Sequence, residues 1–150
     1  MTQKKPRVFL DTSVIIAAVL SPSGGAHQVF QLGEIGVLDL IAGPNVIREA
    51  DDVVRRNVPA SLPLLAQLLA AGRLITSKIP TKNQIEKAQS HLLYTPEAHV
   101  LAEALAAQPD WFITHDKEHF LNRRSNFQFG FEIGTPGGLI LAIKETYRPS

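Results

Sequence analysis

Short apolar runs alternate with longer amphipathic stretches along this chain, and few folds are compatible with that order. Strands are predicted at residues 7–10, 37–42, 74–76 and 111–114. A fifth is predicted at residues 127–133, where Phe127, Phe129, Phe131 and Ile133 alternate with polar residues or glycine, as in a strand with one buried face. Strands that alternate with helices form a mostly parallel sheet covered on both faces. The predicted fold is therefore a three-layer α/β/α sandwich around a five-stranded sheet.

The helices predicted between these strands lie at residues 13–20, 26–35, 44–56, 62–71, 81–92, 95–107 and 135–145. The helix near residue 95 has the clearest start. Thr95 is a capping residue, Pro96 suits the first turn, and Glu97 places an acid at the positive end of the helix dipole. The sequence has no repeat, low-complexity tract or linker, and 150 residues suffice for one core. A single domain over residues 1–150 is therefore expected.

Composition excludes several classes of site. The chain has no cysteine, which excludes disulfides, thiolate zinc sites and cysteine nucleophiles and is compatible with a reducing cytoplasm. Its net charge is only +1, so contacts with nucleic acid must come from local basic patches. The basic N-terminal segment is followed by an apolar stretch, but Asp11, Thr12 and Ser13 interrupt it, and residues 14–20 are too few to span a bilayer. A soluble, cytoplasmic protein is expected.

Two acids follow predicted strands. Asp11 comes directly after the first strand, and Asp116 comes two residues after Thr114, at the end of the fourth. In open α/β sheets, ligands bind outside the carboxyl ends of the strands, near the point where the strand order reverses. Taken singly, each acid is better explained as a helix N-cap. If both serve one site, the first and fourth strands must be adjacent.

Two further acids lie on predicted helices. Glu97 falls on the stripe of Leu101, Ala104 and Leu105 that should face the core, where a charge needs a partner. Its alternative role is that of a first-turn acid stabilised by the helix dipole. Glu49 lies at the flank of the apolar stripe of its helix, and in isolation it is better explained as a solvated side chain.

Converging carboxylates would suit a divalent cation. Mg²⁺ and Mn²⁺ prefer hard oxygen ligands, and such a site can activate water for attack on a phosphodiester. A histidine zinc site is not indicated. His115 and His119 have the i, i+4 spacing, but the glutamate of an HExxH motif is missing, and two solvated histidines on a turn are predicted instead.

Several segments resemble the PIN-domain family, and they occur in the family's order. They are VFLDTS at 8–13, a strand ending in Asp; AGPNVIRE at 42–49, a helix start carrying a Glu; EAHVLAEAL at 97–105, a block usually introduced by Asp; WFITHDKEHFL at 111–121, a strand followed by Thr, any residue and Asp; and Thr135-Pro136 after the last strand. The resemblance covers nearly the whole chain.

The resemblance implies a five-stranded parallel sheet between helices and cleavage of single-stranded or structured RNA that depends on Mg²⁺ or Mn²⁺. It also implies a homodimer and, as in many bacterial members, a toxin of a toxin–antitoxin module inhibited by a partner protein. Asp11, Glu49, Glu97 and Asp116 would be both the catalytic residues and the metal ligands. The residues expected to orient these carboxylates are Thr12, Ser13 and Thr114. The arginines expected to contact RNA phosphates are Arg48, Arg55, Arg56, Arg123 and Arg124.

One residue departs from the family pattern. Glu97 stands where Asp is usual, and its extra methylene shifts the carboxylate by about one C–C bond, enough to disturb a metal that requires near-ideal octahedral geometry. Metal affinity or activity below that of a typical member is therefore expected.

Three alternatives remain open from the sequence. The first is a non-catalytic PIN-like module that binds RNA or a protein. The second is a phosphatase of the haloacid-dehalogenase type, which needs a second Asp where Ser13 stands. The third is a phospho-acceptor receiver domain, which needs an acidic pair near the first strand and an acceptor Asp after the third, and neither is visible.

Overall fold

The computed structural model describes residues 4–93 and 95–146. The strands in these segments are β1 (Arg7–Leu10), β2 (Asp39–Ala42), β3 (Ile75–Thr76), β4 (Trp111–Ile113) and β5 (Glu132–Gly134). The helices are α1 (Thr12–Leu20), α2 (Gly25–Glu34), α3 (Pro44–Asn57), α4 (Leu62–Ala71), α5 (Lys82–Leu92), α6 (Pro96–Ala107) and α7 (Pro136–Thr146). Two 3-10 turns lie at Pro59–Ser61 and Leu121–Asn126.

The strands form one parallel sheet in the order β3-β2-β1-β4-β5, which confirms the predicted sheet. The strand order reverses at β1, which pairs with β2 on one side and with β4 on the other. The adjacency predicted for the first and fourth strands is therefore confirmed. A hydrogen bond of 3.1 Å from Asp11 N to Ile113 O extends this pairing beyond the end of β1. The carboxyl ends of β1 and β4 thus lie side by side at the switch point of the sheet.

The core encloses the central strand. Val8, Phe9 and Leu10 of β1 are all fully buried, although successive side chains of a strand point to opposite faces of the sheet. Both faces are therefore covered, as the three-layer arrangement requires. The rings of Phe9 and Phe112 stack across the β1–β4 pair, with their centroids 5.5 Å apart.

The prediction of a long fifth strand was wrong, since β5 contains only Glu132–Gly134. Gly130 has a φ of +83°, which interrupts an extended backbone just before β5. The aromatic alternation has another cause. The ring of Phe129 stacks on Phe127, at 5.6 Å, and is tilted against Phe131, at 5.8 Å, so that the rings form a small cluster beside the sheet.

Helix starts are only partly as predicted. Thr81 caps α5 through a complete capping box with Gln84. By contrast, the hydroxyl of Thr95 is buried and has no hydrogen-bond partner in the described part of the chain, so α6 begins without the predicted side-chain cap. The start of α6 is defined instead by Pro96 and by a backbone bond of 2.9 Å from Ala98 N to Thr95 O.

The apolar helix α1 follows β1 directly, and its residues Val14, Ile15 and Ala18 are fully buried. Within the described segments, no single helix is both long enough and apolar enough to cross a membrane. Taken together, α1 and α2 would meet that test of length and composition, but they are bent by 96° relative to each other.

Candidate functional site

Asp11 caps α1 and is held by three hydrogen bonds. Its Oδ1 accepts from Thr12 N at 2.8 Å. Its Oδ2 accepts from Thr114 Oγ1 at 2.6 Å and from Ser13 Oγ at 3.2 Å. The residue is only 7% exposed. The capping interpretation of Asp11 is therefore correct, and it does not compete with a role in a site, because the same carboxylate also lines a cavity described below.

The two hydroxyls that donate to Asp11 also connect it to the turn after β4. The Ser13 hydroxyl accepts a hydrogen bond of 3.0 Å from His115 N. The Thr114 hydroxyl accepts one of 2.9 Å from Asp116 N. Because each hydroxyl donates to Asp11 and accepts from the turn, the positions of Asp11 and Asp116 are coupled through hydrogen bonds alone.

Glu49 is connected to the surroundings of Asp11 by a hydrogen bond from Thr12. Thr12 Oγ1 donates a hydrogen bond of 3.2 Å to Glu49 Oε2. Thr12 lies in the first turn of α1, and Glu49 lies on α3, so this bond joins the two helices. The three residues expected to orient the acids, Thr12, Ser13 and Thr114, thus all contact one of them.

Glu97 and Asp116 are joined by a histidine. Asp116 Oδ1 accepts from His119 N at 3.0 Å, and His119 Nδ1 lies 2.9 Å from Asp116 Oδ2. On the other side of the ring, Nε2 lies 3.7 Å from Glu97 Oε2. One ligand atom from each of these three residues lies within 4.8 Å of the other two, and no other set of three does so in the ranges that the structure describes.

The prediction that both histidines are solvated was wrong for His119. The side chain of His119 is 25% exposed and makes the two contacts above, whereas His115 is exposed. The signal in the sequence was Asp116 itself, because an aspartate that starts a turn accepts hydrogen bonds from residues a few positions later. His119 lies at i+3 in that turn, so it is directed at the acid and not at solvent.

The four acids predicted from the sequence line one open cavity of about 400 Å³. Its walls are Asp11, Thr12, Ser13, Ile16, Glu49, Pro96, Glu97, Val100 and Asp116. They come from α1, α3, α6 and the turn after β4, so the cavity lies at the carboxyl ends of β1 and β4.

The electrostatics of this cavity are unbalanced. Burial raises the pKa of Asp11 above its ordinary value of 3.8, although the hydrogen bonds from Thr114, Thr12 and Ser13 partly oppose it, and the charge of Asp116 adds to the rise. Among the described residues, none of the four acids has a lysine or arginine nitrogen within 4.0 Å. Carboxylates facing a shared cavity without a basic partner form a donor set that suits a hard divalent cation.

His119 responds to the same negative charge. Partial burial lowers its pKa, but the hydrogen bond and charge of Asp116 and the charge of Glu97 outweigh that effect, so its pKa lies above the ordinary value of 6.5. An imidazole placed between two carboxylates is therefore easier to protonate than a free one.

Sequence reasoning missed Glu103, which positions α3. Glu103 is only 1% exposed, and its carboxylate accepts from Asn45 N at 2.8 Å and from Val46 N at 3.3 Å. These are free N–H groups at the first turn of the helix that carries Glu49. A Cβ at Gly43 would overlap the Glu103 carboxyl group, so glycine is required there. The available signal was a lone charge within the apolar run VLAEALAA.

Glu103 gives a testable pH dependence. Burial raises its pKa above the ordinary value of 4.5, although the N–H groups of Asn45 and Val46 and the charges of His99 and Arg48 lower it in part. Above pH 4.5 the folded protein therefore binds more protons at this site than the unfolded chain does. The free energy of unfolding should fall as the pH rises through that window.

The measurement compares thermal melts of the wild type and Glu103→Gln between about pH 4 and about pH 8. The amide introduced by this substitution does not titrate, so the melting temperature of the wild type relative to the variant should be highest at the acidic end and decline toward neutral pH. A difference that does not change with pH would show that Glu103 keeps its ordinary pKa in the folded state.

The predicted RNA-contacting arginines fall into two groups. Arg48 and Arg56 line a second cavity of about 330 Å³, which shares Glu49, Pro96 and Val100 with the acidic one. The other three lie outside both cavities: Arg55 pairs with Asp51 on the exposed face of α3, and Arg123 and Arg124 donate to the carbonyls of His91 and Ile133. Arg56 also has a local partner, since its Nε donates to Asp52 O at 3.3 Å. Only Arg48 and Arg56 are thus placed beside the acids.

Comparison with known proteins gives a consistent result. A family model described as PIN domain matches residues 7–118. The fold is similar to VapBC2 from Rickettsia felis bound to a DNA fragment from their promoter, with a TM-score of 0.65 and 11% identity over 85% of this chain and 98% of that chain. It is also similar to VapC20 of Mycobacterium tuberculosis, a sarcin–ricin-loop-cleaving toxin, with a TM-score of 0.53 and 15% identity over 81% of this chain and 96% of that chain. A search of curated proteins gave no match. At such low identities the two structures show a shared fold.

Proposed function

Since this chain belongs to the PIN-domain family, we propose that it is a divalent-metal-dependent endoribonuclease whose catalytic residues and metal ligands include Asp11, Glu49, Glu97 and Asp116. The observation that carries the proposal is the convergence of these acids on one cavity without a lysine or arginine beside them in the described segments. Such a set repels itself unless a cation balances it.

The residues of the chain would prepare this site before any ion binds. Thr12 N, Ser13 and Thr114 fix the orientation of the Asp11 carboxylate, and the Thr12 hydroxyl fixes Glu49. Mg²⁺ or Mn²⁺, when bound, supplies a Lewis acid that activates water and polarises a phosphodiester. Because these hydrogen bonds already hold the acids in place, little ordering is required of them during the reaction.

The substrate would be an RNA chain that passes from the adjoining cavity, lined by Arg48 and Arg56 as well as Glu49 and Asp52, to the acidic one. Arg48 and Arg56 line the adjoining cavity and are suited to bind phosphates next to the one that is cleaved. The net charge of the protein is only +1, so affinity for RNA has to come from such a local patch. Arg55, Arg123 and Arg124 would contribute less, because they line neither of these two cavities.

A toxin–antitoxin role follows as an extension of this proposal. Its support is the fold shared with VapBC2 and with the toxin VapC20. On that basis the protein would act in the cytoplasm as a homodimeric toxin, and a protein antitoxin would cover the acidic cavity. A small DNA-binding protein encoded by the neighbouring reading frame, able to block RNA cleavage when added, is the expected antitoxin.

The test is cleavage of a set of single-stranded and hairpin RNAs by the purified protein. Internal cleavage is expected with Mn²⁺ or Mg²⁺, and it should stop when EDTA removes the ion and return when the ion is restored in excess. Cleavage that persists in EDTA would contradict the metal dependence. RNA binding without cleavage in either metal would instead support a non-catalytic PIN-like module.

A further inference from the structure

We propose that His119 is a nitrogen ligand of the metal through Nε2, so that His119 and Glu97 share one ion in a mixed carboxylate–imidazole centre that favours Mn²⁺ over Mg²⁺, while Asp116 orients the imidazole from Nδ1. The inference rests on the metal site proposed above and adds to it a ligand and an ion preference. It also gives Asp116 the role of orienting the ring, on the side away from the ion that His119 and Glu97 share. It starts from the one close set of possible ligand atoms found in the described part of the chain, which contains two of the predicted acids and this histidine.

The orientation of the ring fits a ligand. With its proton on Nδ1, His119 donates to Asp116 Oδ2 at 2.9 Å, and Nε2 faces Glu97 Oε2. A hydrogen bond from one ring nitrogen to a carboxylate fixes the tautomer and leaves the other nitrogen free for a metal. The backbone bond from His119 N to Asp116 Oδ1 fixes the ring relative to the same acid.

The spacing on the other side of the ring also fits. Nε2 and Glu97 Oε2 are 3.7 Å apart, which is too long for a hydrogen bond. Two ligand atoms bound at about 2.1 Å to one ion lie roughly 3.0–3.6 Å from each other at ordinary ligand–metal–ligand angles. A movement of a few tenths of an ångström, small for two partly exposed side chains, would let both bind one ion.

This arrangement explains why Glu97 departs from the family pattern. With Asp at position 97, the carboxylate would be withdrawn by about one C–C bond from the imidazole. The longer side chain of Glu97 brings the oxygen within 3.7 Å of Nε2. Glu at position 97 and His119 are therefore two parts of one site. The longer side chain of Glu97 reaches toward the ring, and His119 supplies the nitrogen that binds the same ion.

A nitrogen ligand changes which ion is preferred. Mg²⁺ favours oxygen ligands and near-ideal octahedral geometry, whereas imidazole suits first-row transition metals. With His119 in the set, Mn²⁺ should bind more tightly than Mg²⁺. Without it, the remaining carboxylates should discriminate much less between the two ions.

The first experiment is calorimetric titration of the metal-free protein with MnCl₂ and with MgCl₂. His119→Gln should weaken Mn²⁺ binding by about tenfold or more and Mg²⁺ binding much less, so that the Mn²⁺ preference collapses. His115→Gln is the matched control, since that exposed side chain lies on the same turn, and its preference should equal that of the wild type. An equal loss for both ions in His119→Gln would overturn the proposed ion preference.

The second experiment detects the ligand directly and does not require the variant to fold. Pulsed electron paramagnetic resonance of Mn²⁺ bound to the wild type should show modulation from an imidazole nitrogen, and ¹⁵N-histidine labelling should change its frequency. Bound Mn²⁺ without nitrogen modulation would overturn the inference while leaving the proposed nuclease intact. Absence of any Mn²⁺ binding would overturn both.

Glu97→Asp separates this account from a typical all-carboxylate site. If His119 and Glu97 share an ion, shortening the acid should lower Mn²⁺ affinity and weaken the nitrogen modulation. If the site is formed by acids alone, the Asp usual in the family should bind Mn²⁺ as tightly as the wild type or more tightly. That second result would contradict the proposal.

Discussion

Replacing Asp11 with asparagine is expected to reduce metal-dependent RNA cleavage by more than about 100-fold, a larger loss than that usual for a residue that only orients a ligand. The amide cannot supply the negative charge that the proposed metal requires. The fold should survive, because Asn caps helices about as well as Asp, so the bond from Thr12 N is retained.

The stability of metal-free Asp11→Asn should lie within about 1 kcal/mol of the wild type, because two effects oppose each other. The change removes the repulsion between Asp11 and Asp116 and the cost of burying a charge. It also places an amide N–H group where the hydroxyls of Ser13 and Thr114 now donate, so these must reorient.

Thermal melts with and without Mn²⁺ separate a ligand from a structural cap. Mn²⁺ that binds only the folded protein should raise the melting temperature of the wild type, and this rise should be lost or much reduced in Asp11→Asn. Asp51→Asn is the control, because Asp51 is exposed and pairs with Arg55. An equal Mn²⁺-induced rise in all three proteins would show that Asp11 only caps α1.

Gly43→Ala should destabilise the protein by about 2–4 kcal/mol. The new methyl group would overlap the Glu103 side chain, since a Cβ there lies only 2.5 Å from the Glu103 Cβ and closer still to its carboxyl group. Glu103 would have to leave Asn45 N and Val46 N, and its charge would remain buried without those donors. Because α3 carries Glu49, RNA cleavage should fall as well.

Urea unfolding measures this change in the free energy of unfolding. Gly137→Ala is the matched control. A Cβ there would meet only Thr135 Oγ1, at 4.0 Å, and alanine at a helical position with room for it usually stabilises by about 0.4–1 kcal/mol. A loss below about 1 kcal/mol in Gly43→Ala would mean that Glu103 does not hold α3 as described.

The order of elements could be predicted because it depends on local patterns. Apolar runs that end at polar residues gave β1, β2 and β4 to within a few positions, and α4 was predicted with its observed bounds. The aromatic residues near the C-terminus were misleading. A two-residue period indicates only that alternate side chains lie on the same side of the backbone. The side chains of Phe127, Phe129 and Phe131 do so because their rings pack against one another in a loop, and not because they lie on a strand.

The cavity was predictable for a different reason. The topology of a parallel sheet brings the residues after adjacent strands to one edge, so Asp11 and Asp116 could be placed there from their positions in the sequence. The role of Glu103 could not be predicted in this way. Its partners are the backbone N–H groups of Asn45 and Val46, which are 58 and 57 residues away and have no signature in the sequence. His119 was misjudged because its position three residues after Asp116 was the only signal in the sequence, whereas its contact with Glu97 joins two elements that only the structure brings together.

The central claim is that the acids of this cavity hold a divalent cation, and anomalous diffraction from crystals grown with MnCl₂ tests it most directly. The expected result is a manganese peak in the cavity lined by Asp11, Glu49, Glu97 and Asp116, with carboxylate oxygens at about 2.0–2.2 Å from it. The peak should disappear in crystals of Asp11→Asn grown under the same conditions. A cavity without a manganese peak, at a concentration that supports RNA cleavage, would contradict the account.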